Sequence, residues 1–411
     1  MKTAILTVGT EILFGQIVNT NAAWISQQLQ NMGYDVMYHY SVGDNPGRLK
    51  ELIHFAFHDC DLILTTGGLG PTQDDLTKEV IAEAMGDTIV ENKECMEVLM
   101  SHFEKHGYKF TPNNLKQAYM PSRATVLPND AGSAPGFAME KDGKMIIAMP
   151  GPPREMTRMF EKQVKPLLEA KQDSVIYYRL IRTFGLGESM METELLPLID
   201  GQTDPTIATY AKEGECSLRV ASKRPTREEA MAAVDEMTDK VTEIIGKYIY
   251  SYDDEDLINV VAKLLLEKNI TISSAESCTG GKFAAALCEI PGISAVFERG
   301  IVTYSNRAKM EELGVKEETL TAYGAVSPET AEEMVRGLAA KTGSDLCISV
   351  TGIAGPGGGS EAKPVGLAYI GLSYKGDVKV VKHMRASSGG RKWTQNSVLL
   401  SMLYQVYELI K

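Results

Sequence analysis

LILTTGGLGPTQDD, Leu62 to Asp75, decides the reading of the first part of the chain. Five apolar or β-branched residues, Leu62–Thr66, predict a strand buried on both faces. A glycine-rich turn follows, and Asp74 and Asp75 stand where a helix from Leu76 to Met85 exposes its first amides. Outward from this stretch, Ala4–Val8 reads as another buried strand and Asn21–Met32 as a helix stopped by Gly33. Tyr34–Tyr40 reads as a strand and Leu49–Phe57 as a helix. The order βαβαβα predicts a largely parallel sheet covered on both faces, with ligands beyond the C-terminal ends of its strands.

Three loops fall at such ends. VGTEILFGQIVNTN presents Thr10, Glu11 and Asn19; the central loop presents Gly67, Gly68, Gly70, Asp74 and Asp75; MPGPPREM presents Gly151 and Arg154. Asp44, in VGDNP, is a further candidate. Glycine amides suit phosphates, and carboxylates suit a hydrated, magnesium-like ion between phosphates. Asp74 and Asp75 read equally as first-turn helix residues satisfying free amides. Neither of the first two loops has the G-x-G-x-x-G order of a dinucleotide fold. His54/His58 and His102/His106 are spaced one helical turn apart, but HFEKH lacks the glutamate of a zincin, so both pairs read as surface decoration.

A change of rhythm at Ser174–Thr183 begins a small α+β module: strand, helix around Glu188–Leu195, a stretch TIATYAKEGECSLRVASK, and a long helix Arg227–Ile245. After the acidic SYDDED, a third region predicts a helix Leu257–Glu267, strands at Ile270–Ala275, Ile301–Tyr304 and Leu346–Thr351, an antiparallel pair Val365–Ser373/Val378–Met384, and a helix Thr394–Leu409.

AESCTGG, Ala275 to Gly281, follows a strand and enters a helix. That places the Ser277 hydroxyl near helix-terminal amides, useful to a developing oxyanion. A base is needed. His383 is the single histidine of this region and has no obvious aspartate partner, so a serine–histidine–aspartate triad is disfavoured. Lys309, in VTYSNRAK, is the better candidate once its pKa is depressed, with Tyr304 orienting or relaying. Ser277 as a mere cap and Lys309 as a surface lysine remain the plain reading of the residues taken singly. Cys278 is a rival nucleophile or a small core residue. The loop SVTGIAGPGGGSEAKPVG cradles a phosphate, completes an oxyanion site, or is a surface hairpin; it is not a Walker A sequence.

The 411 residues imply two or three domains, and the net charge of -12 argues against wrapping a nucleic-acid backbone. Six cysteines without C-x-x-C spacing predict a reduced, cytoplasmic protein with no structural zinc. The start of the chain has no signal-peptide pattern, and no apolar run is long enough to span a bilayer.

AESCTGG, ERGIVTYSNRAK, GAVS and GIAGPGGGSEAKPVG resemble the signature blocks of the CinA C-terminal family, and the whole chain resembles full-length competence/damage-inducible CinA proteins. The resemblance implies an α/β multidomain chain. Residues 1–170 would be a molybdopterin-binding-like α/β sandwich, 171–251 a KH-like α+β domain, and 254–411 the CinA α/β domain. It implies that the last converts nicotinamide mononucleotide to nicotinate mononucleotide and ammonia, without a cofactor and in service of NAD recycling. Ser277 would be nucleophile, Lys309 base and Tyr304 their partner, with Thr279, Gly280, Gly281, Thr351, Gly352, Gly355 and Gly357 around substrate. Arg391, or less readily Arg299 or Lys392, would meet the phosphate. For the first domain it implies a divalent-metal-dependent ADP-ribose pyrophosphatase using Asp74, Asp75 and Asp44, magnesium-like or cobalt-like in its ion. A homodimer acting on small nucleotides is implied. The runner-up is a pterin- or nucleotide-binding regulatory protein with inactive sites. In the KH-like module, GLGES (Gly185–Ser189) only loosely approximates G-x-x-G and has acidic neighbours, so a structural role is favoured over RNA binding.

Overall fold

The computed structural model describes residues 1–107, 109–171, 174–212, 214–385 and 389–411. In the first region, β1 (Lys2–Val8), α1 (Thr20–Asn31), β2 (Asp35–Val42), α2 (Pro46–Asp59), β3 (Leu62–Thr66) and α3 (Thr77–Ala84) follow the predicted alternation. Then come β4 (Thr125–Leu127), β5 (Gly136–Lys141), β6 (Lys144–Met149) and α4 (Pro153–Met159). The six strands lie in the order β2-β1-β3-β6-β5-β4. The first four are parallel; β5 and β4 add an antiparallel edge. Alternation along β1 sends Ala4 and Leu6 to one apolar cluster and Ile5 to the other, so both sheet faces are covered. Short loops at the C-terminal ends of β1, β3 and β6 converge, which brings the three predicted loops together.

The KH-like module comprises β7 (Val175–Thr183), α5 (Glu188–Ile199), β8 (Thr206–Lys212), β9 (Glu215–Arg224), α6 (Arg227–Ile245) and β10 (Ile249–Ser251), in the sheet order β8-β9-β7-β10. Residue 213, within the stretch TIATYAKEGECSLRVASK, lies outside the described residues.

The last region has α7 (Leu257–Glu267), β11 (Ile272–Glu276), α8 (Lys282–Cys288), β12 (Phe297–Val302), α9 (Asn306–Leu313), α10 (Pro328–Thr342), β13 (Leu346–Gly352), β14 (Leu367–Tyr374), β15 (Asp377–Met384) and α11 (Gly390–Ile410). Its sheet order is β12-β11-β13-β14-β15, parallel through β12, β11 and β13 and antiparallel beyond. One strand expectation is corrected: β12 ends at Val302, whereas Ile301–Tyr304 was the predicted strand. Pairing with β11 runs from Phe297 to Val302; Thr303 and Tyr304 then leave the sheet, and the Thr303 carbonyl turns to Lys309.

By compactness the chain divides into two units, Met1–Tyr177 with Lys223–Met231, and Tyr178–Ser222 with Ala232–Lys411. Within the second unit the KH-like module and the last domain pack together through Phe184 and Tyr404, stacked at 4.5 Å. Among the described residues no helix is long and apolar enough to cross a membrane.

Candidate active sites

Ser277 stands just past the C-terminal end of β11, a strand flanked by two parallel neighbours. Its amide donates to Val350 O (3.1 Å), which ties it to β13. Lys309 enters from α9. Ser305 caps that helix by accepting from the Ala308 amide, and Lys309 and Leu313, one turn apart, share its buried face. The result joins two residues 32 positions apart: Lys309 Nζ lies 3.0 Å from Ser277 Oγ. Lys309 also donates to Thr303 O (2.8 Å). At 1% exposure, its ammonium is held below the ordinary lysine value by burial, which outweighs the opposing effect of Cys278. Once deprotonated, a buried amine in contact with a hydroxyl can accept its proton.

Both residues open on a cavity of about 220 Å³, whose lining includes Tyr304, Thr351, Gly352 and Arg391. Arg391 spans its side, donating to Tyr304 Oη (2.7 Å) and to Gly355 O (2.8 Å). Cys278 lines the cavity too, but burial pushes its thiol up to about 12, so the thiolate is disfavoured near neutral pH. His383 is absent from the lining; burial, then Arg385, pushes its imidazole down to about 4.

Not every expected residue meets the cavity. Thr279, Gly280, Gly281, Gly355 and Gly357 are not among its lining residues, and neither are Arg299 and Lys392. Thr279 instead turns inward and donates to Glu276 Oε2 (2.7 Å). Glu276 had no sequence signal of its own, yet it organises the turn: Oε2 also accepts from the amides of Gly281 and Phe283 (each 3.1 Å), and Oε1 from Ala284 (2.9 Å). Glu276 thus occupies the Phe283 and Ala284 amides at the start of α8, which leaves those two unable to serve an oxyanion. Gly280 and Gly281 earn their place through left-handed backbone, φ 65 and 93.

In the first domain a cavity of about 590 Å³ gathers Glu11, Asp44, Gly67, Gly68, Gly70, Asp74, Asp75 and Gly151. Gly67 and Gly68 have φ 106 and 68, and a Cβ would lie 2.1 Å from Val8 O or Thr77 Oγ1, respectively. Thr10 does not line the cavity; it fixes Asp44 by donating to Oδ2 from its amide (3.1 Å) and hydroxyl (2.7 Å). Asn19 caps α1 and lines a smaller adjoining cavity of about 80 Å³. Arg154 is exposed on α4 and away from the lining; its neighbour Glu155 is there instead, held by Asn129 (2.7 Å). A one-residue step along a helix rotates the side chain by about 100°, which sequence proximity to the loop could not resolve. Asp75 accepts from the Thr72 amide (2.9 Å), so part of its capacity is spent inside the loop. Among the described residues no group of three His, Cys, Asp or Glu side chains forms a metal cage. The donor set fits a hydrated, magnesium-like ion, which takes one or two carboxylates together with ligand phosphates. His54, His58 and His106 are exposed on their helices.

Three family matches tile the chain: "Probable molybdopterin binding domain" over residues 4–170, "Damage-inducible protein CinA KH domain" over 178–251, and "CinA C-terminal domain" over 254–410. A CinA-like protein of Dictyoglomus turgidum is 46% identical over 387 residues, covering 94% of this chain and 94% of its own. The CinA-like protein of Dictyoglomus thermophilum has the same identity and coverage. Among solved structures, the competence/damage inducible protein CihA from Agrobacterium tumefaciens is 40% identical. It covers 38% of this chain and 98% of its own, at a TM-score of 0.36.

Proposed function

The chain belongs to the CinA family, and from that premise we propose that its C-terminal domain hydrolyses the carboxamide of nicotinamide mononucleotide. The observation that carries this reading is the buried contact of 3.0 Å between Lys309 Nζ and Ser277 Oγ. Unprotonated Lys309 takes the hydroxyl proton as Oγ bonds to the carboxamide carbon. The tetrahedral intermediate collapses, the C–N bond breaks, and the Lys309 proton leaves with ammonia. Water then attacks the acyl ester while Lys309 accepts its proton; Oγ departs and regains that proton, leaving the nicotinate carboxylate. Arg391 brings positive charge to the cavity wall for the substrate phosphate, and Tyr304, tied to it, helps fix that guanidinium. The test is ammonia release from nicotinamide mononucleotide by metal-free full-length protein beside Ser277→Ala. Release by the wild type alone is expected; none from folded wild type sinks the reading.

For the N-terminal domain the favoured reading is hydrolysis of ADP-ribose to AMP and ribose 5-phosphate: water adds at one phosphorus and the bridging P–O bond breaks. The cavity that joins glycine backbone to several carboxylates supports it. One or two of Asp44, Asp74 and Asp75 would hold the hydrated divalent ion, whose charge would offset that of the phosphates. AMP formation that is abolished by chelator and by Asp74→Asn is the expected result; tight nucleotide binding without turnover would favour the regulatory alternative. Family membership favours a homodimer, which light scattering of the full chain would measure.

A further inference from the structure

Five carboxylates line the N-terminal cavity, and four of them, Glu11, Asp44, Asp74 and Asp75, come from the segments that follow β1, β2 and β3. The fifth, Glu155, follows β6 and stands at the start of α4. Hydrogen bonds decide how it is presented. Ala131 N donates to Asn129 Oδ1 (3.0 Å), which fixes the orientation of that amide and turns its Nδ2 toward Ala134 O (2.9 Å) and Glu155 Oε2 (2.7 Å). Gly132 closes over the same carboxylate; a Cβ there would stand 2.1 Å from Oε2. One oxygen is thus committed to the protein. Oε1 accepts from no group among the described residues, yet it is not among the buried polar atoms, so it is open to water. The sheet then sets what lies beside it. In the order β2-β1-β3-β6, the glycine turn after β3 falls between the Asp44 end and the Glu155 end. The β6 loop abuts that turn, since a Cβ on Gly151 would touch Gly67 Cα at 3.5 Å. A phosphate seated on Gly67–Gly70 therefore has Asp44 on one flank and Glu155 on the other. Among the described residues no three acidic, histidine or cysteine side chains form a cluster, so Glu155 does not complete a cage with two of the aspartates. A carboxylate fixed through one oxygen, with the other wet and beside a phosphate, is suited to take a proton from water.

We propose that Glu155 is the general base of the N-terminal site. This rests on the pyrophosphatase reading of that domain and names the group that activates its water. As the water oxygen bonds to one phosphorus, its proton passes to Glu155 Oε1; the bridging P–O bond breaks, and its electron pair leaves on the other phosphate. Glu155 then gives the proton to solvent. AMP formation from ADP-ribose by the full chain, followed as magnesium is varied, tests it. Glu155→Gln keeps the size of the side chain but cannot accept the proton, so kcat should fall by at least about 100-fold. The magnesium concentration for half-maximal rate, and AMP binding measured by calorimetry, should stay within about threefold of wild type. Ammonia release from nicotinamide mononucleotide should be unchanged, which controls for folding. Formate, a carboxylate small enough for the vacated space, should raise the rate of Glu155→Ala in proportion to its concentration, a response that a structural residue does not give. A kcat for Glu155→Gln within about threefold of wild type overturns the proposal and leaves the pyrophosphatase reading intact. A raised magnesium requirement that accounts for the loss makes Glu155 an ion ligand and overturns it too. No AMP from folded wild type sinks the pyrophosphatase reading and the proposal with it. Should Glu155→Gln not fold, the formate response of folded Glu155→Ala decides, and its absence refutes the assignment.

Discussion

Replacing Lys309 by methionine separates catalysis from stability. The side chain is nearly isosteric, apolar, and enters a site that is already 1% exposed. It removes the one amine in contact with Ser277 Oγ and the donor to Thr303 O. General-base assistance is typically worth about 10²–10⁴ in rate, or about 3–5 kcal/mol in the barrier. Stability should move far less. Losing a donor to a buried carbonyl costs about 1–3 kcal/mol, and removing an amine whose charged form burial disfavours offsets part of that. Ammonia release should therefore fall by at least about 100-fold with a melting temperature near that of wild type. In the wild type, kcat/KM should rise with pH along a limb below the ordinary lysine value, because burial lowers the Lys309 pKa; no such limb should survive in Lys309→Met. Reaction of Ser277 with a fluorophosphonate gives a second, substrate-free readout and should slow in parallel. A Lys309→Met protein that is folded and within threefold of wild type, roughly 0.6 kcal/mol of barrier, would refute the base assignment.

Glu276→Gln places an amide nitrogen among the four donors that Glu276 now accepts. It should cost about 1–3 kcal/mol of stability and lower kcat more than it raises KM; unchanged melting and turnover would dismiss its organising role. Gly68→Ala would set a Cβ 2.1 Å from Thr77 Oγ1 at φ +68, so N-terminal nucleotide binding should fail while ammonia release persists. Loss of both together would point to global misfolding instead. Burial pushes Lys78 from 10.5 down to about 8. Between those values the unfolded chain binds the proton that the folded chain has lost. Stability should accordingly rise as pH increases from 8 to 10.5, by about 3 kcal/mol in total. In Lys78→Met this component of the rise should vanish; parallel stability–pH curves for the two proteins in urea melts would contradict it.

Local pattern alone was enough to read the βαβαβα alternation from Leu62–Asp75 outward, since burial on two faces demands continuous apolar strands and one-sided helices leave a 3.6-residue period. AESCTGG and VTYSNRAK stood out as loops at strand ends carrying a hydroxyl, a lysine and small residues, and the structure brings Ser277 and Lys309 together from them. Other features were decided by tertiary structure, because they depend on what the sheet brings beside a residue rather than on what precedes it. The approach of Lys309 to Ser277 needs β11 and β12 in register and the turn at Thr303. Glu276 looked like the middle of a motif and became the acceptor for four donors only when α8 folded back over it. Glu155 rather than Arg154 reached the N-terminal cavity because helical phase, invisible in a list of neighbours, set which of the two faces inward.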